Sequence, residues 1–254
     1  LIARRSKKEL ERIKAAGAIV AETLRIVEDN LTPGITTGEL DRIAERHIRQ
    51  CGAEPAFLGY HGFPNSLCIS LNDEVVHGIP KDDKKISNGD LVSVDVGAIY
   101  KNFYGDGART FAVGQVLAQA IDLIETTRDS LKAGIEYCRP GQRVGDISAA
   151  VQSYVEGRRY SVVRRYVGHG IGRRMHEDPP IPNFGEPGTG PVIKPGMVFA
   201  IEPMVNMGGS DVKTLDDGWT VVTADGSLSA HYEHTVAVTK EGPVILTGEE
   251  ASFV

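Results

Sequence analysis

The chain has 254 residues, with 28 Lys and Arg against 34 Asp and Glu, a net charge of −6, and 41% hydrophobic side chains. This balance excludes the clustered basic surface needed for nucleic acid or an anionic membrane, and no apolar run approaches the roughly 18 residues of a membrane span. Cys51, Cys68 and Cys138 have neither CxxC spacing nor an even count, and the charged start LIARRSKKELERIK builds no signal core, which together point to a reducing cytoplasm. In chain order, helical periodicity predicts a first helix over 6–29, opened by a capping box in which Ser6 precedes Glu9 by three residues, and a second over 37–51. Short strands are expected at 66–71, 91–100 and 103–113, separated by the turn-rich HGFPN and HGIPKDDKK. Helices return at 115–134 and 144–156, and the remainder reads as strands near 162–167, 197–205, 219–223, 228–239 and 243–246.

Acids intrude where strands want apolar side chains. LVSVDV reads as a buried strand, yet it carries Asp95, and the strand after it carries Asp106. A hairpin centred between Tyr100 and Lys101 sets the two aspartates opposite one another. At about 4 Å and an effective dielectric near 20, such a pair repels by about 4 kcal/mol, so a proton or a cation has to intervene. The sequence also repeats itself at an offset of 107: TPGITTGELDRIA from Thr32 matches RPGQRVGDISAAV from Arg139, and NGDLVSVD from Asn88 matches PGMVFAIE from Pro195. The offset lands Asp95 on Glu202, a second acid in an apolar strand; Glu233 in SAHYEHTVAVT is another, and His169 in YVGHGIG adds a nitrogen donor. A lone acid in such a place is more often a paired or capping group than a ligand. Four together with one imidazole form a hard, oxygen-rich set suited to two divalent cations such as manganese, iron, cobalt or zinc.

HGIP at 77–80, two aspartates eleven apart, GHGIG, the IEP segment and a glutamate on a late strand together resemble the type I methionine aminopeptidases, over essentially the whole chain. The resemblance implies an α+β pita-bread fold: a single catalytic domain over 1–254, with pseudo-twofold duplicated halves at about 1–118 and 119–254, a central antiparallel sheet and outer helices. It implies that Asp95, Asp106, His169, Glu202 and Glu233 bind two divalent metals, with Asp106 and Glu233 bridging, and that Glu202 shuttles a proton. His77 and His176 are expected to contact the scissile amide and the tetrahedral intermediate, and Phe57, Tyr60, Phe63, Cys68, Met175 and Trp219 to line a methionine pocket. Phe57, Met175 and Gly97 stand where Cys, Phe and Thr are common in the family. The implied reaction is removal of N-terminal methionine from nascent polypeptides with a small second residue, in the cytoplasm, by a monomer near the ribosome exit. Prolidase and aminopeptidase P share fold and ligands but carry a large extra N-terminal domain; the type II enzymes carry a helical insertion; non-enzymatic relatives lose ligands, and all five remain here.

Overall fold

The computed structural model describes residues 2–248. Its first helix starts where sequence chemistry demands, because the Ser6 hydroxyl accepts the Glu9 N–H while the Glu9 carboxylate accepts the Ser6 N–H. This α1 (Lys7–Asn30) buries Ile13, Ala16, Val20, Leu24 and Val27, the three-and-four spacing of one helical face. A second capping box, Thr36 with Glu39, opens α2 (Thr37–Gln50). The third helix, α3 (Ala118–Glu136), begins three residues later than expected, because Gly114 takes a left-handed conformation and the Gln115 N–H is spent on Asn88 Oδ1. The fourth, α4 (Val144–Glu156), has the expected bounds.

Before the long hairpin come three strands, β1 (Glu54–Pro55), β2 (Leu67–Leu71) and β3 (Glu74–Val76). The hairpin itself is β4 (Leu91–Tyr100) and β5 (Phe103–Ala112). After α4 follow β6 (Ser161–Val162), β7 (Gly168–Gly170), β8 (Glu177–Ile181), β9 (Val198–Ile201) and β10 (Met204–Asn206). The chain then gives β11 (Val212–Thr214), β12 (Val221–Thr223), β13 (Ser229–His231), β14 (Glu233–Val238) and β15 (Pro243–Ile245). Nine of these form one antiparallel sheet in the order β1-β4-β5-β14-β9-β7-β8, with β2 added to β4 and β15 to β14. Two smaller sheets, β13-β10-β6 and β11-β12-β3, complete it.

Each helix pair covers its own half of the sheet. Ile19, Leu24, Leu40 and Ile48 from α1 and α2 pack with Ile69, Val92 and Val94, and Leu123, Leu131, Ile147 and Val151 from α3 and α4 pack with Phe199, Ile201 and Val236. The two halves follow the repeat offset closely: α2 and α4 begin at Thr37 and Val144, β4 and β9 at Leu91 and Val198, and the bridges Thr36↔Lys85 and Arg143↔Val192 differ by 143 − 36 = 192 − 85 = 107. The pseudo-twofold passes between the central strands β5 and β14. There the Thr235 hydroxyl donates to the Asp106 carbonyl and accepts the Asp106 N–H, while the Thr110 hydroxyl does the same for the backbone of His231. Thr110 and Thr235, and likewise Asp106 and His231, are 125 residues apart (235 − 110 = 231 − 106). Each threonine therefore clamps the backbone of the other half.

The structure departs from the sequence reading in identifiable places. Lys101 and Asn102 both have left-handed backbones, φ 49° and 63°, forming a two-residue turn that shifts the hairpin centre by one residue. Asp106 therefore faces Gly97, and Asp95 faces Ala108; the two aspartates are diagonal rather than opposite. The strand expected over 197–205 breaks after Ile201 into β9 and β10, where Pro203 has no N–H to offer a ladder. That expected over 228–239 breaks at Tyr232, passing from a small sheet into the central one. The strand near 162–167 shrinks to β6, and β12 starts late because the Asp217 carboxylate takes the N–H groups of Trp219 and Thr220. The overlooked strands β1, β3, β7, β8 and β11 are short, and β7 and β8 carry glycines and prolines that weaken a strand signal.

One buried acid serves the scaffold. Asp41 on α2 accepts from the N–H groups of Ser66 and Leu67 and from Asn65 Nδ2, at 2.8–2.9 Å, and so fixes the start of β2. Replacing it with alanine strands these donors, each costing about 1–3 kcal/mol when buried and unpaired. Asp41→Ala is expected to lower unfolding stability by about 3 kcal/mol, read from the urea midpoint at unchanged slope.

Candidate active site

The acids meet because the register puts them on one face. Asp95, Ala108 and Glu233 lie in a row across β4, β5 and β14, and Asp106 sits two residues along β5, on the same face. The methyl group of Ala108 leaves space between its two acidic neighbours. Glu202 follows β9 directly, and His169 on β7 pairs with Ala200 of that strand. Its Nε2 lies 3.4 Å from Glu202 Oε1 and 3.8 Å from Asp106 Oδ2. All five residues named from the sequence thus converge. Asp106, His169 and Glu233 are buried, and Asp95 and Glu202 half-buried.

Electrostatics say what the cluster lacks. Burial first, then the neighbouring carboxylates, push Asp95, Glu202 and Glu233 far above the usual carboxylate range; burial lifts Asp106 to about 7, against the pull of the Gly107 N–H. Oxygens of Asp95, Asp106 and Glu233 are buried without a hydrogen-bond partner among the described residues. Burial, with His176 beside it, holds the pKa of His169 at about 3, so the ring is neutral. Its Nδ1 lies 3.0 Å from the Gly170 carbonyl, the position of an N–H donor, which leaves the Nε2 lone pair facing the acids. Lone pairs aimed at one another need a proton or a metal cation between them. Asp106, His169 and Glu233 bring donor atoms within 4.8 Å of one another, as do Glu202, His231 and Glu233, so either group could hold an ion.

Above this floor opens a cavity of about 270 Å³. Phe57, Tyr60, Phe63, Cys68, His77, Met175, His176 and Trp219 all line it. Phe63 and Trp219 meet edge to face at 5.1 Å. His77 has a left-handed backbone, φ 60°, a strained conformation for a residue with a Cβ, and its ring packs edge-on against Tyr166 at 5.4 Å. Gly78 behind it has to be glycine, since a Cβ there would lie 2.3 Å from the Ile69 carbonyl oxygen. Burial and His176 keep His77 neutral, with a pKa near 4. At the mouth, His176 meets His169 edge to face at 4.3 Å, and its Nδ1 is 2.7 Å from the Tyr60 hydroxyl. Burial and Asp95 raise the Cys68 thiol well above its normal pKa, so it lines the cavity as a protonated, polarizable group.

The sequence model of Metallopeptidase family M24 matches residues 11–240. The chain belongs to this family. It is 54% identical over 247 residues to methionine aminopeptidase of Clostridium perfringens, spanning 97% of this chain and 99% of that one. Methionine aminopeptidase 1 of Bacillus subtilis is 50% identical over 243 residues, with 96% and 98% covered. Among solved structures, methionine aminopeptidase from Thermotoga maritima superposes with a TM-score of 0.97 at 45% identity, covering 98% of this chain and 100% of that one. Prolidase from Pyrococcus furiosus superposes at 0.80 with 26% identity, and this chain spans only 66% of its length. The fold is the pita-bread fold of the M24 metallopeptidases, and the chain is a hydrolase of that family.

Several lining residues escaped the sequence reading: His61, Val76, Tyr166, Val167, Met204 and His231. Most lie one or two positions from a named residue, and His231 stands two before Glu233. The structure also joins three departures from the family pattern into one. A Cβ on Gly97 would lie 2.8 Å from Met175 Cε and 2.9 Å from both Ala56 Cβ and Phe57 Cε1. The larger Phe57 and the flexible Met175 occupy the space a threonine would take. Gly97→Thr is therefore expected to cost about 1–3 kcal/mol through overpacking. Adding Phe57→Cys is expected to recover at least half of that, and thermal melts of the two single variants and the double variant measure the coupling.

Proposed function

We propose that the chain is a methionyl aminopeptidase, removing N-terminal methionine from nascent polypeptides whose second residue is small, with two divalent ions held by Asp95, Asp106, His169, Glu202 and Glu233. The observation that carries this reading is a cavity of about 270 Å³, walled by Phe63, Met175 and Trp219, whose floor is a cluster of carboxylates and one imidazole with unpaired lone pairs. Its relatives named methionine aminopeptidase support it over nearly the full chain. The ions would polarise the scissile carbonyl and make water a competent nucleophile at neutral pH.

The remaining work falls to side chains. Phe63, Cys68, Met175 and Trp219 bury the thioether and exclude water from it. Glu202 takes the proton of the attacking water at a carboxylate oxygen and passes it to the departing amine nitrogen. Neutral His77 offers a ring N–H to the scissile amide, and His176, held by the Tyr60 hydroxyl, faces the developing oxyanion. Asp106 and Glu233 lie on the adjacent middle strands β5 and β14, where the two halves meet, and would hold the ions from both sides of that seam. The chain acts as one catalytic domain and as a monomer, in the cytoplasm near the ribosome exit; among the described residues no helix is long and apolar enough to cross a membrane.

The test strips the protein of metal, restores manganese, iron, cobalt or zinc one at a time, and follows methionine release from Met-Ala-Ser. Release with at least one ion and none without is the expected result. A protein that takes up two ions yet releases no methionine from this peptide would refute the substrate assignment.

A further inference from the structure

His231 ends β13, is 2% exposed, and its Nε2 has no hydrogen-bond partner among the described residues. A buried, unpaired imidazole nitrogen is costly, and this one points into the acid cluster. Its nearest acid is Glu202, whose two oxygens divide between two imidazoles: Oε1 lies 3.4 Å from His169 Nε2, and Oε2 lies 4.0 Å from His231 Nε2. The fold itself marks the position. His231 is the pseudo-twofold counterpart of Asp106, and the backbone of each is clamped at N–H and carbonyl by the threonine of the other half. The ring therefore starts from a backbone as rigid as that of the residue proposed to bridge the ions.

We propose that His231 is a positioning residue for Glu202: when ions bind, its Nε2–H closes the 4.0 Å gap to Oε2, donates there, and turns Oε1 toward the side of the carboxylate that His169 faces. This rests on the ion-pair reading given above. The division of oxygens favours this role over direct ligation, because the oxygen facing His231 is the one turned away from His169. With a free rotor, Glu202 would sample orientations in which neither oxygen meets an ion, and groups that orient metal-bound carboxylates are worth about 10- to 100-fold in metal affinity.

The experiment compares wild-type protein with His231→Gln, whose amide can still donate, and His231→Leu, which cannot. Metal-stripped samples are titrated with manganese by calorimetry, their cobalt-loaded visible spectra are recorded, and Met-Ala-Ser kinetics are measured; urea midpoints report folding. His231→Leu is expected to bind the weaker ion about 10- to 100-fold less tightly and to lose kcat with little change in KM. His231→Gln is expected to restore the affinity and to give a cobalt spectrum superimposable on wild type. Wild-type ion affinity in His231→Leu would overturn the proposal. So would a His231→Gln protein as weak as His231→Leu with an altered cobalt spectrum, since that pattern marks the imidazole as a direct ligand. A wild-type protein that takes up no ions would instead overturn the ion-pair reading, and the positioning role with it.

Discussion

Asp106→Asn is expected to bind at most one of the two ions and to turn over about a thousandfold more slowly than wild type, and Glu233→Gln is expected to match it. Metal assistance is worth several kcal/mol of transition-state stabilisation, and about 1.4 kcal/mol corresponds to a factor of ten. The backbone at Asp106 is fixed from both sides by Thr235, and asparagine preserves the side-chain volume, so the loss reports the carboxylate and not a displaced strand. Stability should move in the opposite direction. In the ion-free protein these carboxylates are crowded and desolvated: burial drives the pKa of Asp106 upward, and burial followed by the neighbouring carboxylates drives that of Glu233, so neutralising either removes a charge the site solvates poorly. The ion-free variants are therefore expected to melt at or above the temperature of ion-free wild type while losing activity, the pattern of a site that sets function against stability. Two bound ions with wild-type turnover in either variant would remove Asp106 and Glu233 from the bridging role.

The fold was legible where local chemistry and long-range pattern agreed. Ser6 with Glu9 announces the start of α1, and the repeat at offset 107 places α4 and β9 from α2 and β4. The four acids stood out because charge inside an apolar strand is costly enough to need a reason, and His169 was then read beside them as a nitrogen donor. What escaped depended on geometry that letters do not carry. Tyr100–Lys101 and Lys101–Asn102 are both credible turn centres, and only the left-handed backbones of Lys101 and Asn102 decide for the second. The breaks at Pro203 and Tyr232 move strands between sheets without changing hydrophobic pattern. His231 reads as one more polar residue inside the strand expected over 228–239; it stands out only once the pseudo-twofold makes it the counterpart of Asp106. Gly97, a departure when taken alone, becomes intelligible when Phe57 and Met175 are seen filling its Cβ position.

Selectivity at the second residue is expected to exceed selectivity within the methionine pocket. Phe63, Trp219 and Met175 wall the cavity proposed to take the methionine side chain, and a missing or added methylene in such a lining changes discrimination by only about 1–3 kcal/mol. Norleucine, with a methylene in place of sulfur, should therefore be released at a rate within about tenfold of methionine, whereas branched valine and charged lysine should fail. Beyond the scissile bond the constraint is steric. The Tyr60 hydroxyl and His176 Nδ1, 2.7 Å apart, span the mouth, and His61 packs against Tyr60 at 4.4 Å, so a long second side chain meets three rings held together. Displacing them breaks a hydrogen bond and moves His176 off His169, which penalises the transition state as well as binding. Met-Ala and Met-Gly peptides should turn over readily, and Met-Arg and Met-Leu about a hundredfold more slowly, with the loss in kcat as well as KM. Tyr60→Phe separates the two contributions: it removes the hydrogen bond to His176 while leaving the ring, so Met-Ala turnover should fall and the Met-Ala to Met-Arg ratio should narrow. Equal rates for Met-Ala and Met-Arg in the wild-type protein, or a ratio unmoved by Tyr60→Phe, would show that the second residue is read somewhere other than this mouth.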